Sequence, residues 1–428
     1  MSNQVKNIIT SKNELNIIIK KVKMFSGFKL FCFIMLFFPS ITFGIIKAEI
    51  FPWAIIAAFF YFKKYSKDFI FVVFFFLLCS AISFIFHGPT DIIRSLASYM
   101  NTLCAFAFML TISEIEVVRF IRLLKIIFIF LLTLGLLQYF NVVDFADGFI
   151  KLIIPRGSSI ASFESNRGVR LLSSEPARAG NELIFLYFLF NYVFIKAKHR
   201  LVSDILFTLY LLIVIQSFMA FAFFALFLAF NINLKSILIS VLCLLLLVYG
   251  GLNFTAGRSV ELVNNLFQLD SMKDIVFFLV NSSGNRLITI YSSYIYGVLL
   301  PFGAGMGNWL SGSIEAIKTS GIDVSEFSYY QVLGNGSIIG TRSSGFLSNL
   351  ILETGVFGFL FVLRYLLKIL NKYWNISKDA KIVILSFLCK ILFIGSVGHP
   401  VAWVITIIIL RYFNIQKNGL SLSKINYS

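Results

Sequence analysis

The sequence predicts an all-α, polytopic membrane protein, and three observations carry the prediction. First, 58% of the 428 residues are hydrophobic and only 13% are charged, against about 25% charged in soluble domains. Such a chain lacks the polar surface to stay in water. Second, its apolar stretches are continuous, as in Phe69–Phe86 and Ile237–Leu252, whereas the strands of a membrane β-barrel alternate apolar and polar residues. Third, the mean hydropathy is +0.88 and phenylalanine alone supplies 51 residues, a composition suited to helix surfaces that face lipid. Backbone groups inside a bilayer must be hydrogen-bonded within their own segment, so unbroken apolar runs are helices.

At roughly 20 residues per crossing, the apolar windows give about twelve spans. They fall near 28–46, 50–62, 69–86, 93–112, 123–140, 182–196, 203–216, 218–231, 236–252, 346–367, 382–397 and 400–413. The chain then divides into an N-terminal bundle (1–140), a first large loop (141–181), a second set of spans (182–252), a second large loop (253–345), and a C-terminal set of spans with a tail (346–428). The segment 203–231 is the ambiguous one. Two helices there put both large loops on the same side, and one long helix puts them on opposite sides.

Charge gives the sidedness. Lys63, Lys64 and Lys67, then Arg119, Arg122 and Lys125, then Lys196, Lys198 and Arg200 fall on one side, while the short loops opposite hold only Lys47 and Arg94. By the positive-inside rule the first side is cytoplasmic and carries both termini. The two large loops then face outward. The net charge of +17 is thereby spent on orientation rather than on nucleic acid. Lys20, Lys21 and Lys23 precede an apolar stretch that runs to Ile46 with no small-residue cleavage site, which argues against a cleaved signal peptide. Cys32, Cys79, Cys104, Cys243 and Cys389 all lie in or beside apolar runs and read as small helix-packing side chains. Neither CxxC nor HExxH occurs, and no metal site or cofactor is expected.

The outward loops are too long to be turns, and loops of that length are usually functional or disordered. Their recurring Leu, Ile, Phe and Tyr argue against disorder. Two apolar stripes at helical spacing, Val260–Phe267 and Leu287–Val298, predict helices that pack on the membrane surface or the bundle top. In the first loop Arg170-Leu-Leu-Ser-Ser-Glu175-Pro176-Ala-Arg178 leads into a helix with Ser174 as its expected N-cap. Free amides at such an N-terminus attract anions, and arginine forks match phosphate geometry. In the second loop Arg286 opens a helix that ends in Pro301-Phe-Gly303-Ala-Gly305-Met-Gly307. Glycines there would allow exposed amides to cradle a phosphate, although a Gly-rich turn after a helix is common. Arg342 precedes a span that carries Glu353-Thr-Gly355, a carboxylate at membrane depth that is expected to face the bundle interior. His399 sits at a helix break between the last two spans and reads first as structural. Lys390 lies within a span and points either to a carboxylate partner or to a misplaced span boundary.

These segments resemble the O-antigen polymerase and O-antigen ligase superfamily of multi-pass glycosyltransferases. Arg170 to Glu175-Pro176 is similar to the outer-loop motif of the polymerases. The Arg286 helix with Gly303, Gly305 and Gly307 is similar to the second-loop signature, and Leu347–Gly355 to the start of the following span. The resemblance covers roughly 141–360. Ligases of the superfamily carry a His-Asn pair where this chain has Ser343-Ser344, which favours the polymerase. Polymerases carry an arginine and a glycine at a fixed spacing in each outer loop; Arg286 and Gly297 fit it, whereas Arg170 and Gly180 miss by one.

The resemblance implies a bacterial inner-membrane enzyme that works at the periplasmic face. An acceptor sugar hydroxyl on one lipid-linked repeat would attack the anomeric carbon of a glycan carried on undecaprenyl diphosphate. The departing diphosphate needs fixed cations; Arg170 and Arg286 are the first choices, with Arg178 and Arg342 behind them. Glu175 is the expected base, with His399 second. The short loop that holds metal-binding carboxylates in many lipid-linked glycosyltransferases offers only Glu49 here, so metal-independent transfer is expected. Partners implied by the resemblance are the two lipid-linked glycans, membrane lipids, and the chain-length regulator and flippase of the same pathway. Two other readings remain open: a flippase of lipid-linked oligosaccharides, with similar span number but shorter loops and a charged central cavity, and the O-antigen ligase itself.

Overall fold

In the computed structural model the described residues are 27–42, 50–61, 65–88, 91–140, 142, 168–173, 175–230, 265, 268–269 and 271–418. The predicted span 236–252, the stripe Val260–Phe267, Ser174, Lys47, Glu49 and most of 141–167 lie outside them. Every element among the described residues is helical. In chain order they are α1 (Gly27–Leu36), α2 (Trp53–Tyr61), α3 (Lys67–His87), α4 (Ile92–Thr111), α5 (Glu114–Tyr139), α6 (Pro176–Val193), α7 (Arg200–Tyr210) and α8 (Phe218–Phe230). These are followed by α9 (Met272–Ser282), α10 (Arg286–Leu299), α11 (Trp309–Ser320), α12 (Ser328–Gly334), α13 (Phe346–Trp374), α14 (Lys378–Phe393) and α15 (Val401–Lys417). Among the described residues α3, α4, α5 and α13 are long and apolar enough to cross a membrane.

Local signals in the sequence set several helix starts. Ser66 accepts a hydrogen bond from the Phe69 amide at the start of α3, and Ser113 with Glu116 forms a capping box at α5. Ser377 caps α14 through the Ala380 amide. At α6 the boundary sits one residue later than expected. Glu175 occupies the N-cap position in extended conformation, Pro176 follows, and the Glu175 carboxylate makes no cap bond. It is left available for a longer-range partner.

The two kinds of helix surface differ as the composition requires. Along α3, Phe71, Phe74, Ile85 and Phe86 are exposed, an apolar face suited to lipid. By contrast, every residue from Val401 to Leu410 of α15 is buried. A helix that is apolar all round belongs inside a bundle, and α15 packs against α4, α5, α6 and α14.

The ambiguous segment 203–231 is two helices. α7 continues through a π-turn at Leu211–Ile215, and Gln216 then takes a left-handed conformation (φ 53°, ψ 38°). α7 and α8 both pack on α6: Tyr187 stacks on Phe207 of α7 at 4.0 Å, and Phe188 on Phe227 of α8 at 3.8 Å. The top of this hairpin receives the end of the first large loop, since the Val169 amide donates to the Val214 carbonyl. Residues 168–173 and Glu175 are held at the same end of the bundle as the start of α10, where Arg286 meets Glu175.

Helix α13 is broken. Gly355 has φ 66° and ψ −170° inside it, which releases carbonyls from the helical ladder. The Gly-rich turn of the second loop takes them up, with the Ala304 amide donating to the Leu352 carbonyl (2.8 Å) and the Gly305 amide to the Glu353 carbonyl (3.0 Å). Irregular backbone at membrane depth is tolerated where protein satisfies it in this way. The fit is close enough to demand glycine on both sides: a Cβ on Gly303 would lie 2.5 Å from the Gly355 amide nitrogen, and one on Gly355 would lie 2.0 Å from the Pro301 carbonyl oxygen.

Candidate functional site

At the end of the bundle where both large loops converge there is a cavity of about 1190 Å³. Its wall comes from the N-terminal turns of α4, α6 and α10, the segment 340–344 ahead of α13, and the turn 393–398 between α14 and α15. Four arginines line it, Arg94, Arg178, Arg286 and Arg342, with Asp91 and Glu175 as the carboxylates. Three of the four arginines are residues that the sequence reading picked out from separate segments.

Arg286 stands in the first turn of α10. Its guanidinium donates to Glu175 Oε2 at 3.1 Å, and both side chains remain partly exposed, 32% and 44%. Arg178 lies in the first turn of α6 on the same wall. This pair unites the expected base with an expected phosphate ligand, and a partly solvated ion pair of this kind is weak. An incoming anion can compete for Arg286 and release the carboxylate.

Arg342 is held differently. One terminal nitrogen donates to Ser98 Oγ and the other to Ser95 Oγ, each at 3.2 Å. Ser95 in turn donates to Glu353 Oε1 at 2.9 Å, and Asn349 donates to the same oxygen at 3.1 Å. The Arg342 guanidinium is 3.9 Å from that carboxylate, whose side chain has no exposed surface. The carboxylate at membrane depth therefore faces the interior, where it is the terminus of a hydrogen-bond chain that runs through α4 to the cavity wall.

His399 is not part of that wall. It borders a second, small cavity of about 20 Å³ with Glu182, Lys390, Asn181 and Ser396, and its Nε2 lies 2.8 Å from Glu182 Oε1. Lys390 thus finds the carboxylate neighbourhood that its position in a span requires. Arg178, Asn181, Gly395 and Ser396 border both cavities, so the His399 cluster lies one layer of side chains behind the large one.

Arg170 also lies outside the large cavity. Its neighbours Val169 and Leu171 are buried, and the Leu171 amide and carbonyl are both taken by the side chain of Gln138. Gly303, Gly305 and Gly307 do not line the cavity either. Their turn packs on α13, while a Cβ on Gly305 would meet His87 and Ser83 and one on Gly307 would meet the backbone at Ile92. Two amides of this turn are used to repair the break in α13, so packing, rather than phosphate binding, accounts for these glycines. Among the described residues no group of three or more His, Cys, Asp or Glu side chains is placed to hold a metal.

Sequence reading missed Arg94, Asp91 and Trp309 of the wall. Arg94 was legible only as one of the few charges in a short outward loop. Trp309 carried no signal beyond being an aromatic residue after the glycines. Asn101, which binds the Ala54 amide and the Gly398 carbonyl, joins three elements at the cavity floor and is indistinguishable in sequence from any polar residue in a span.

No family model matches the chain, and no curated protein or solved structure matches it.

Proposed function

We propose that the protein is a membrane glycosyltransferase that polymerises lipid-linked oligosaccharide repeats into a surface polysaccharide, with the large cavity as its active site. In this reading the chain has about twelve spans in a bacterial inner membrane. Both termini are cytoplasmic and the loops 141–181 and 253–345 are periplasmic. One observation carries the proposal: Arg178 and Glu175 from the first loop and Arg286 and Arg342 from the second, far apart in sequence, border one cavity at one end of the bundle.

The chemistry follows from those groups. An acceptor hydroxyl attacks the anomeric carbon of the donor, and the bond to the diphosphate breaks with its electron pair leaving on the phosphate oxygen. Arg286 and Arg178 meet that growing charge, and cations placed where charge develops supply a large part of the barrier lowering in such reactions. Diphosphate binding draws Arg286 away from Glu175. The freed carboxylate then takes the hydroxyl proton, the role of a general base. The chain supplies cations and a base from its own side chains, so the transfer needs no metal.

Deletion of the gene in its native strain, with the lipopolysaccharide resolved on a gel, tests the reading. A lost ladder with a core-plus-one-repeat band supports polymerisation, because export and ligation still operate. Loss of every repeat from the core sinks it. Polymer accumulating on the lipid carrier would then identify a ligase, and single repeats trapped on the cytoplasmic side a flippase.

A further inference from the structure

Polymerisation, if that is the activity, brings two diphosphates to one membrane surface. The donor gives its diphosphate up as leaving group, while the acceptor repeat keeps its own throughout: the acceptor oxygen gains the glycosidic bond, the donor carbon–oxygen bond breaks, and the acceptor's phosphate ester is untouched. Two diphosphates crowded on one arginine cluster would repel each other, so the acceptor needs cations of its own.

We propose that Arg342 and Arg94 form a second anion subsite, for the diphosphate of the lipid-linked acceptor, and that Glu353 is its positioning residue. The cavity's arginines stand on two different supports. Arg286 and Arg178 rise from α10 and α6 around Glu175. Arg342 is instead tied to α4 through Ser95 and Ser98. The Ser98 hydroxyl donates to the Arg94 carbonyl, so both arginines are anchored to the first turns of α4. The Arg94 side chain is 52% exposed, with Asp91 at 3.9 Å and its guanidinium over the Trp309 ring.

The buried carboxylate explains why Arg342 stays in place. The direction of donation runs from Arg342 to Ser95 to Glu353, with Asn349 fixing the same oxygen from α13. Arg342 keeps 22% of its side chain exposed on the cavity side. This is a cation set in advance for a phosphate, and guanidinium forks bind phosphate oxygens in pairs. The exposed Arg286–Glu175 pair must open to act, whereas the Arg342 arrangement need not. That division suits a donor that comes and goes with each cycle and an acceptor that is held while it reacts.

The subsite is read by titrating the purified full-length protein in nanodiscs with geranylgeranyl diphosphate, a sugar-free lipid diphosphate, by calorimetry. Two equivalents are expected for the wild type. Arg342→Ala with Arg94→Ala should leave one equivalent, and Arg286→Ala should leave the other. Glu353→Gln should weaken by about tenfold only the event that Arg342→Ala removes, and Arg342→Lys guards against a loss that merely reflects misfolding. A single equivalent in the wild type, abolished alike by Arg286→Ala and Arg342→Ala, would overturn the proposal. The count is independent of transfer: two equivalents in a strain whose ladder survives deletion would retain the subsite and remove the polymerase reading, and one equivalent in a true polymerase would do the reverse.

Discussion

Two arginine–glutamate pairs present an arginine to the same cavity and are built in opposite ways. Arg286 and Glu175 meet directly at 3.1 Å, both partly exposed, between two loop-borne helix starts. Arg342 and Glu353 stand 3.9 Å apart with the carboxylate wholly buried, joined through serine hydroxyls of a third helix. Water screens the first pair and it contributes little to stability. The second sits where an unpaired charge is costly. The comparison teaches that one cavity can carry a solvated, weakly held arginine and a firmly anchored one through burial alone, using the same two residue types.

That contrast can be broken by mutation, beginning with the largest effect. Replacing Arg286 by Ala should lower transfer by about 100-fold or more, as removal of one transition-state donor does elsewhere, while protein levels stay normal. Near-normal polymer from that variant would take Arg286 out of the site. Next, Glu353→Leu should destabilise the fold by about 3 kcal/mol, because Arg342 and Ser95 lose a buried partner. Thermal unfolding in detergent measures it, and an unchanged midpoint would show that Glu353 does not anchor Arg342.

Gly355→Ala tests the broken helix on which Glu353 sits. The added methyl would lie against the Pro301 carbonyl, in a conformation that favours glycine, so unfolding should shift by about 1–3 kcal/mol. A variant as stable as the wild type would mean that the 301–307 turn can move away. Smallest in stability is Glu175→Gln, expected to cost under about 1 kcal/mol yet to depress the rate of transfer strongly with little change in substrate affinity. If rate and stability both stay at wild-type values, another group must be the base.

The site was only partly legible in the sequence, and the residues show why. Arg178, Glu175 and Arg286 stood out because charged residues are conspicuous at the starts of amphipathic or apolar helices. Arg342 and Glu353 stood out because ionisable groups near membrane depth are expensive. Their pairings were not legible: Arg286 and Glu175 are 111 residues apart, and Ser95 and Glu353 are 258 apart. The glycines invited a phosphate-cradle reading because flexibility and close packing both select glycine; only the partner backbone at Leu352–Gly355 distinguishes them. Arg170 ranks ahead of Arg178 in sequence, yet Arg178 lines the cavity and Arg170 does not, its neighbour Leu171 being held by the Gln138 side chain.

By itself the sequence determined the helical class, the apolar surfaces, the capped starts of α3, α5 and α14, and the identity of the chemically costly residues. Each of these depends on local periodicity or on the transfer cost of a side chain, and both are written within a few turns of chain. Only the tertiary structure decided that 203–231 doubles back, that α15 is the buried helix, that His399 lies behind the cavity with Glu182, and which carboxylate holds which arginine. Those outcomes depend on which helix faces pack together, and packing partners come from distant parts of the chain whose apolar patterns are nearly interchangeable in composition. Sequence alone therefore specifies the surfaces a helix offers but does not identify the surface that meets them.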